Sequence, residues 1–243
     1  MVAQPSVLLA HEVGAGKTLA AVSGVSELRR LGLVRKPAVV VPNHMLEQFS
    51  REWLQAYPQA RILTCGTEDL VKDKRQLFVA RAATGEWDAV IMSRSAFEKI
   101  PVSRDTEETY LDEQLTQLRM WLAASKSERG LSVKRLEGTL ARAEERLKKL
   151  RDVERDPAIT FEATGIDYLC VDEAHGYKNL RLASNIPGVA VDGSNRATDL
   201  DLKMSYLRGR HGRRVATFMT ATPIANSVAE AYTMLRYLAP NDL

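Results

Sequence analysis

Six short apolar runs punctuate the chain at wide intervals: residues 6–10 (SVLLA), 38–41 (AVVV), 61–64 (RILT), 89–92 (AVIM), 168–171 (YLCV) and 215–219 (VATFM). Each is four or five residues long and rich in Val, Ile or Leu, which suits strands buried on both faces. Helical periodicity fills most of the intervals. Over residues 18–31, Leu19, Val22, Val25, Leu28 and Leu31 recur at three-residue steps and make one apolar stripe, with Gly32 placed to cap the end. Leu46, Phe49, Trp53 and Leu54 behave similarly over residues 45–57. Strands alternating with helices predict an α/β fold, a mainly parallel sheet with helices on both faces.

One stretch breaks the alternation. From residue 106 to about 154 there is no strand pattern, and the composition turns to Leu, Ala, Glu, Lys and Arg. Leu111, Leu115, Leu118 and Leu122 recur at three- and four-residue steps. After a polar stretch at 125–130, Val133, Leu136, Leu140, Ala143, Leu147 and Leu150 repeat the pattern. This is a seam on two helices, an antiparallel helical hairpin inserted at about 104–156. Pro101 and Pro157 mark its joints. Its charges nearly cancel, which favours a solvated insertion packed on its own seam; an arm reaching a partner or DNA is the alternative.

Composition narrows the class. With 45% hydrophobic and 27% charged residues and a formal net charge of +3, the chain is globular rather than disordered. No run approaches the ~18 consecutive apolar residues of a membrane span. The 243 residues suit one large domain, at roughly 150 residues per domain, or one domain with an appendage. Cys65 and Cys170 make no disulfide framework, and the first residues lack the features of a signal peptide, so a cytoplasmic protein is expected, with no membrane partner. The slight basic excess permits nucleic acid without arguing for it. No histidine spacing suggests a metal site other than one for Mg²⁺.

The chemistry is concentrated in three places. After the first strand, His11-Glu12-Val13-Gly14-Ala15-Gly16-Lys17-Thr18 opens the first helix. A strand, a glycine-containing loop and a helix N-terminus form a phosphate site, because loop amides and the helix dipole face the anion. Gly14, Ala15, Gly16, Lys17 and Thr18 are the candidate nucleotide-binding residues, with Lys17 reaching the β- and γ-phosphates and Thr18 ligating Mg²⁺. His11 stands where the general motif has its first glycine. Much later the run 168–171 leads into Asp172-Glu173-Ala174-His175. At the carboxyl end of a buried strand, Asp172 can hold the Mg²⁺ that bridges the phosphates, and Glu173 can orient and deprotonate a water. Adjacent buried acids are costly unless a cation or solvent satisfies them. Past the last strand, Thr220-Ala221-Thr222-Pro223 offers hydroxyls that can bond to His175, and reads equally as a helix cap.

These elements, in this order, resemble motifs I, II and III of superfamily 2 helicases and translocases, and most nearly the Swi/Snf branch. His11 to Thr18 is similar to that branch's first motif, with His11 where an acid is usual. Val39-Val40-Val41-Pro42-Asn43-His44-Met45-Leu46 resembles its motif Ia, and residues 88–95 the next strand bordering nucleic acid. Lys178-Asn179 matches the pair that follows motif II, and residues 220–226 the Thr-Gly-Thr-Pro-x-x-Asn of motif III, with Ala221 in place of glycine. More narrowly, the chain resembles the helicase region of plasmid- and phage-borne bacterial proteins that also carry DNA-methylase modules.

The resemblance implies a RecA-like P-loop lobe over residues 1–243 that binds ATP with Mg²⁺, with Lys17, Asp172 and Glu173 catalytic and His175, Thr220 and Thr222 coupling the site to motion. It implies backbone contact with DNA, for which Asn43, His44, Ser93, Arg94, Lys178 and Asn179 are candidates. Arg181, Arg208, Arg210, Arg213 and Arg214 add modest basic character, and the last four read equally as a solvated turn. Such motors close ATP between two lobes, the second supplying arginine fingers. Residues 228–243 leave no room for it, nor do the residues before the first strand hold an adenine-recognising segment. The expectation is a first lobe that hydrolyses ATP negligibly until a second lobe, in the same or a neighbouring chain, joins it. A truncated, non-catalytic nucleotide- or DNA-binding module and another P-loop NTPase are the alternatives.

Overall fold

The computed structural model describes residues 1–71, 74–124, 131–151, 159–180, 193–224 and 228–240. The polar stretch 125–130, Pro157, Arg181 and Asn226 fall outside the described residues. Among the described residues, six strands form one sheet: β1 (Ser6–Leu9), β2 (Pro37–Val41), β3 (Ile62–Cys65), β4 (Ala89–Ser93), β5 (Tyr168–Val171) and β6 (Ala216–Met219). They lie in the order β1-β6-β5-β2-β4-β3, with every pairing parallel. This is the RecA-like α/β lobe that the strand pattern and motifs predict. Parallel strands place all their carboxyl ends on one edge of the sheet, and that edge carries the chemistry.

Among the described residues, eight α-helices accompany the sheet: α1 (Lys17–Arg30), α2 (Leu46–Ala56), α3 (Lys74–Thr84), α4 (Arg94–Lys99), α5 (Arg104–Ala124), α6 (Leu131–Arg151), α7 (Asn195–His211) and α8 (Val228–Leu238). Strand residues alternate between two cores. Val39, Val41, Ala89, Ile91 and Cys170 face α1 and α2 through Val22, Val25, Phe49 and Trp53. Val40, Val90, Met92, Leu169, Val171 and Phe218 face the other side, where Phe78, Phe97, Leu200 and Tyr237 cover them. Apolar residues on both pleats explain the unbroken runs in the sequence. Gly32 ends α1 as expected: at φ +68° its N–H donates to Arg29 O and that of Leu33 to Leu28 O, each at 2.9 Å.

The hairpin forms as α5 and α6, with Leu111, Leu115, Leu118, Leu136 and Leu150 buried. Its joints meet: Phe161 N–H donates to Pro101 O at 2.7 Å, and the Glu162 carboxylate accepts from Ser103 N–H and from the Thr106 hydroxyl at the start of α5. The base of the hairpin is fastened to the lobe as well as to itself. Tyr110 donates to Asp201 of α7 at 2.7 Å, and Arg236 of α8 bonds the same carboxylate oxygen at 3.0 Å. Among the described residues no helix is long and apolar enough to cross a membrane.

Candidate functional site

The loop after β1 takes its shape from two glycines. Gly14 and Gly16 sit at φ +83° and +77°, where a side chain would be strained, and the space on their Cβ side is open. The Ala15 N–H closes a turn on Glu12 O at 3.2 Å. Gly16 caps α1 without any side-chain bond, and the first turn of the helix carries no acid. The amides there are uncapped by the protein, at the positive end of the helix dipole. Lys17 folds back over this loop, its Nζ donating to His11 O at 3.2 Å and Glu12 O at 3.3 Å, with Thr18 next to it on the helix.

Asp172 follows β5 on the same edge. It is buried, its N–H donates to Val40 O at 2.8 Å, and its Oδ1 accepts from Glu173 N–H at 2.9 Å. Burial pushes its carboxyl above the usual range and the Glu173 charge adds to that, while the backbone bond and the charges of Lys17 and Arg94 oppose it. A carboxylate desolvated in this way, within the field of Lys17, suits a cation shared with the loop at residues 14–18. The site therefore fits Mg²⁺ with a polyphosphate: uncapped amides, a lysine, a hydroxyl and a buried acid converge on one edge.

Glu173 adopts φ +48°, ψ +51°, the one positive φ outside glycine among the described residues. Its Oε2 lies 3.0 Å from His175 Nδ1. Thr220, fully buried after β6, completes the arrangement. Its N–H donates to Leu9 O at the end of β1 at 3.2 Å, its Oγ1 stands 3.2 Å from His175 Nδ1, and that same oxygen accepts from Thr222 N–H at 3.1 Å. Because β6 lies between β1 and β5, one threonine touches both the strand that carries the loop at residues 14–18 and the acidic turn. Thr222 itself is exposed and enters through its backbone.

Residues 2–243 match the family described as a probable helicase domain. The chain belongs to that family. It is also similar to the defense against restriction protein B of Escherichia phage P1, 29% identical over 163 residues, which is 63% of this chain and 7% of that protein. Its fold matches the Sulfolobus solfataricus SWI2/SNF2 ATPase core in complex with dsDNA at TM-score 0.50 and 15% identity, covering 96% of this chain and 31% of that one. The chain spans under a third of the length of either of these two proteins.

Elsewhere on this helicase-domain lobe the candidates for nucleic-acid contact are unevenly placed. Asn43 and His44 are exposed in the turn after β2, and Asn43 exchanges two hydrogen bonds with Ser95, at 2.8 and 3.2 Å. Asn179 is also exposed, its carbonyl accepting from Ser194 N–H at 2.8 Å. Ser93 is buried and caps α4 by accepting from Ala96 N–H at 3.3 Å. Lys178 pairs with Glu230 of α8 at 2.8 Å. Arg94 turns onto the Glu173 carbonyl at 3.1 Å.

Two of the basic residues before β6, Arg208 and Arg214, serve the fold. Arg208 donates to the carbonyls of Arg236 and Tyr237 at the end of α8, and Arg214 to those of Met1, Val2 and Gln4. Arg213 and Arg214 precede β6, so they stand at the amino edge, opposite the phosphate loop. Reading Arg208 and Arg214 as a solvated turn or a DNA patch is corrected by these bonds. The Arg94–Glu173 bond leaves no mark in the local sequence pattern, because its partners lie 79 residues apart.

Proposed function

We propose that this lobe binds ATP with Mg²⁺ between residues 14–18 and the pair Asp172/Glu173, and is the ATP-hydrolysing half of a DNA helicase or translocase. The observation that carries the reading is Thr220, bonded to Leu9 at the root of the phosphate loop and within reach of His175 in the acidic turn. The loop amides and Lys17 hold the β- and γ-phosphates, exchanging the lysine's bonds to His11 and Glu12 for phosphate oxygens. Thr18 and Asp172 hold the cation. A cation held there would supply charge neutralisation at the phosphates. Glu173 orients a water and accepts its proton at the carboxylate, whose direction His175 constrains. His175 and Thr220 report that position to β6.

DNA contact is proposed at the Asn43–His44 turn and at Asn179, on the same edge. The Sulfolobus ATPase core to which this fold is similar was solved on dsDNA. With no aromatic residues interleaved among these polar groups, the contact follows the backbone rather than the bases. A second RecA-like lobe, in the same or a neighbouring chain, supplies arginine fingers worth about 10³–10⁵ in rate. DNA-methylase modules are proposed as further partners of the lobe. Titration of the 243-residue chain with a fluorescent ATP analogue tests the nucleotide site. Lys17→Ala is expected to weaken binding tenfold or more, and indifference to it would remove the phosphate loop from the reading.

A further inference from the structure

Arg94 opens α4, and its side chain crosses from the end of β4 to the turn after β5. Nη2 donates to Glu173 O at 3.1 Å, and the guanidinium lies 5.5 Å from the centre of the Tyr177 ring. Gly176 makes the room. A Cβ there would stand 2.8 Å from Arg94 Nη1 and 3.0 Å from Cζ, so the guanidinium occupies the space that any other residue at 176 would need.

The carbonyl that Arg94 holds belongs to the residue in the left-handed conformation, which an L-amino acid with a long side chain adopts only when its surroundings impose it. Arg94 Nε and the Tyr177 hydroxyl are both buried without a hydrogen-bond partner. Stranded donors of this kind mark groups kept for position at some expense to stability. On the other side of Arg94, Ser95 is doubly bonded to Asn43. The turn after β2 is thereby fastened to the residue beside the one that holds Glu173.

We propose that Arg94 is a positioning residue for Glu173: its guanidinium clamps the left-handed turn by the Glu173 carbonyl, and so fixes from the β4–α4 junction where the carboxylate points. The functional meaning of the clamp rests on the reading of Glu173 as the base toward water. Gly176 is its counterpart, the gap into which the clamp fits. Displacement of the Asn43 turn reaches Glu173 through Ser95 and Arg94.

Amide hydrogen exchange on the 243-residue chain tests this without requiring turnover. The Gly176 N–H, bonded to Glu173 O at 3.0 Å, reports the turn, and the Asp172 N–H, bonded to Val40 O, reports the sheet. Arg94→Ala is expected to accelerate exchange at Gly176 about tenfold while Asp172 stays unchanged, and Arg94→Lys to recover part of the protection. Gly176→Ala, which expels the guanidinium without removing it, is expected to accelerate exchange across the same turn at Tyr177 and Lys178. It carries the test if Arg94→Ala does not fold. Unchanged exchange at Gly176 in Arg94→Ala, or equal acceleration at Asp172, would overturn the proposal. Failure of the wild-type chain to bind ATP would instead overturn the nucleotide reading and leave the exchange result standing.

Discussion

His175 Nδ1 lies 3.2 Å from Thr220 Oγ1 and 3.0 Å from Glu173 Oε2, so one ring nitrogen faces a hydroxyl at the end of β6 and a carboxylate at the end of β5. A proton on that nitrogen serves both oxygens. The ring therefore cannot turn toward one without changing its distance from the other. A change in the direction of the Glu173 carboxylate is therefore expected to move the ring, and through it the Thr220 hydroxyl.

Thr220→Val keeps the shape and deletes the hydroxyl. The Thr222 N–H then loses its acceptor and His175 one neighbour. The expected cost is about 1–3 kcal/mol in urea unfolding. In the complete motor, DNA stimulation of hydrolysis is expected to fall more steeply than nucleotide affinity. Equal stimulation in wild type and Thr220→Val would remove the coupling role.

Glu173→Gln removes the proton acceptor while keeping size and polarity. Measured with the second lobe present, hydrolysis is expected to drop at least 10²-fold with ATP affinity retained. The lobe by itself is expected to lack about 10³–10⁵ of the rate, the share that arginine fingers supply. Robust DNA-stimulated turnover by the purified 243-residue chain would contradict this division of labour.

The base of the hairpin depends on Asp201, which accepts from Tyr110 and Arg236. Burial and the Asp201 charge push the Tyr110 hydroxyl well above its ordinary pKa, so it remains a donor throughout the range in which the protein is studied. Tyr110→Phe is expected to cost about 1–2 kcal/mol in chemical denaturation, and Asp201→Ala about 3–5 kcal/mol because Arg236 is left unpaired in a largely buried place. A hairpin merely solvated beside the lobe would tolerate both.

Lys203 is fully buried on α7, donating to Phe97 O and to Asp199 Oδ2, each at 2.7 Å. Burial lowers its pKa, and Asp199 opposes that. In the alkaline window just below the ordinary lysine range the unfolded chain then holds the extra proton, so the stability of wild type relative to Lys203→Met rises with pH there. Near neutrality Lys203→Met is expected to destabilise by about 1–3 kcal/mol, because Asp199 loses its partner, and Asp199→Leu with Lys203→Met to recover most of it. Unfolding curves for the three proteins at two pH values check both signs.

Much of the sheet was legible because its inner strands β2, β4, β5 and β6 are short and buried on both pleats, which writes each as a nearly unbroken apolar run. The hairpin was legible from its seam. The helix α7 was not, since Asp201 and Lys203 interrupt its buried face with charges that only their partners Tyr110, Arg236, Asp199 and Phe97 explain. The same limit applied to Arg94: a basic residue after a strand reads as available for an anion until its distant acceptor, Glu173 O, is known. Lys178 is the same kind of case, with its partner Glu230 on α8. Local pattern reveals what a residue offers, while the long-range fold decides what takes it.

The central claim, one polyphosphate and its cation held between Thr18 and Asp172, is tested most directly by the Mg²⁺ dependence of ATP affinity in wild type and Asp172→Asn. The account predicts that Mg²⁺ tightens binding at least tenfold in wild type and much less in the variant. Identical Mg²⁺ dependence in the two proteins would contradict it.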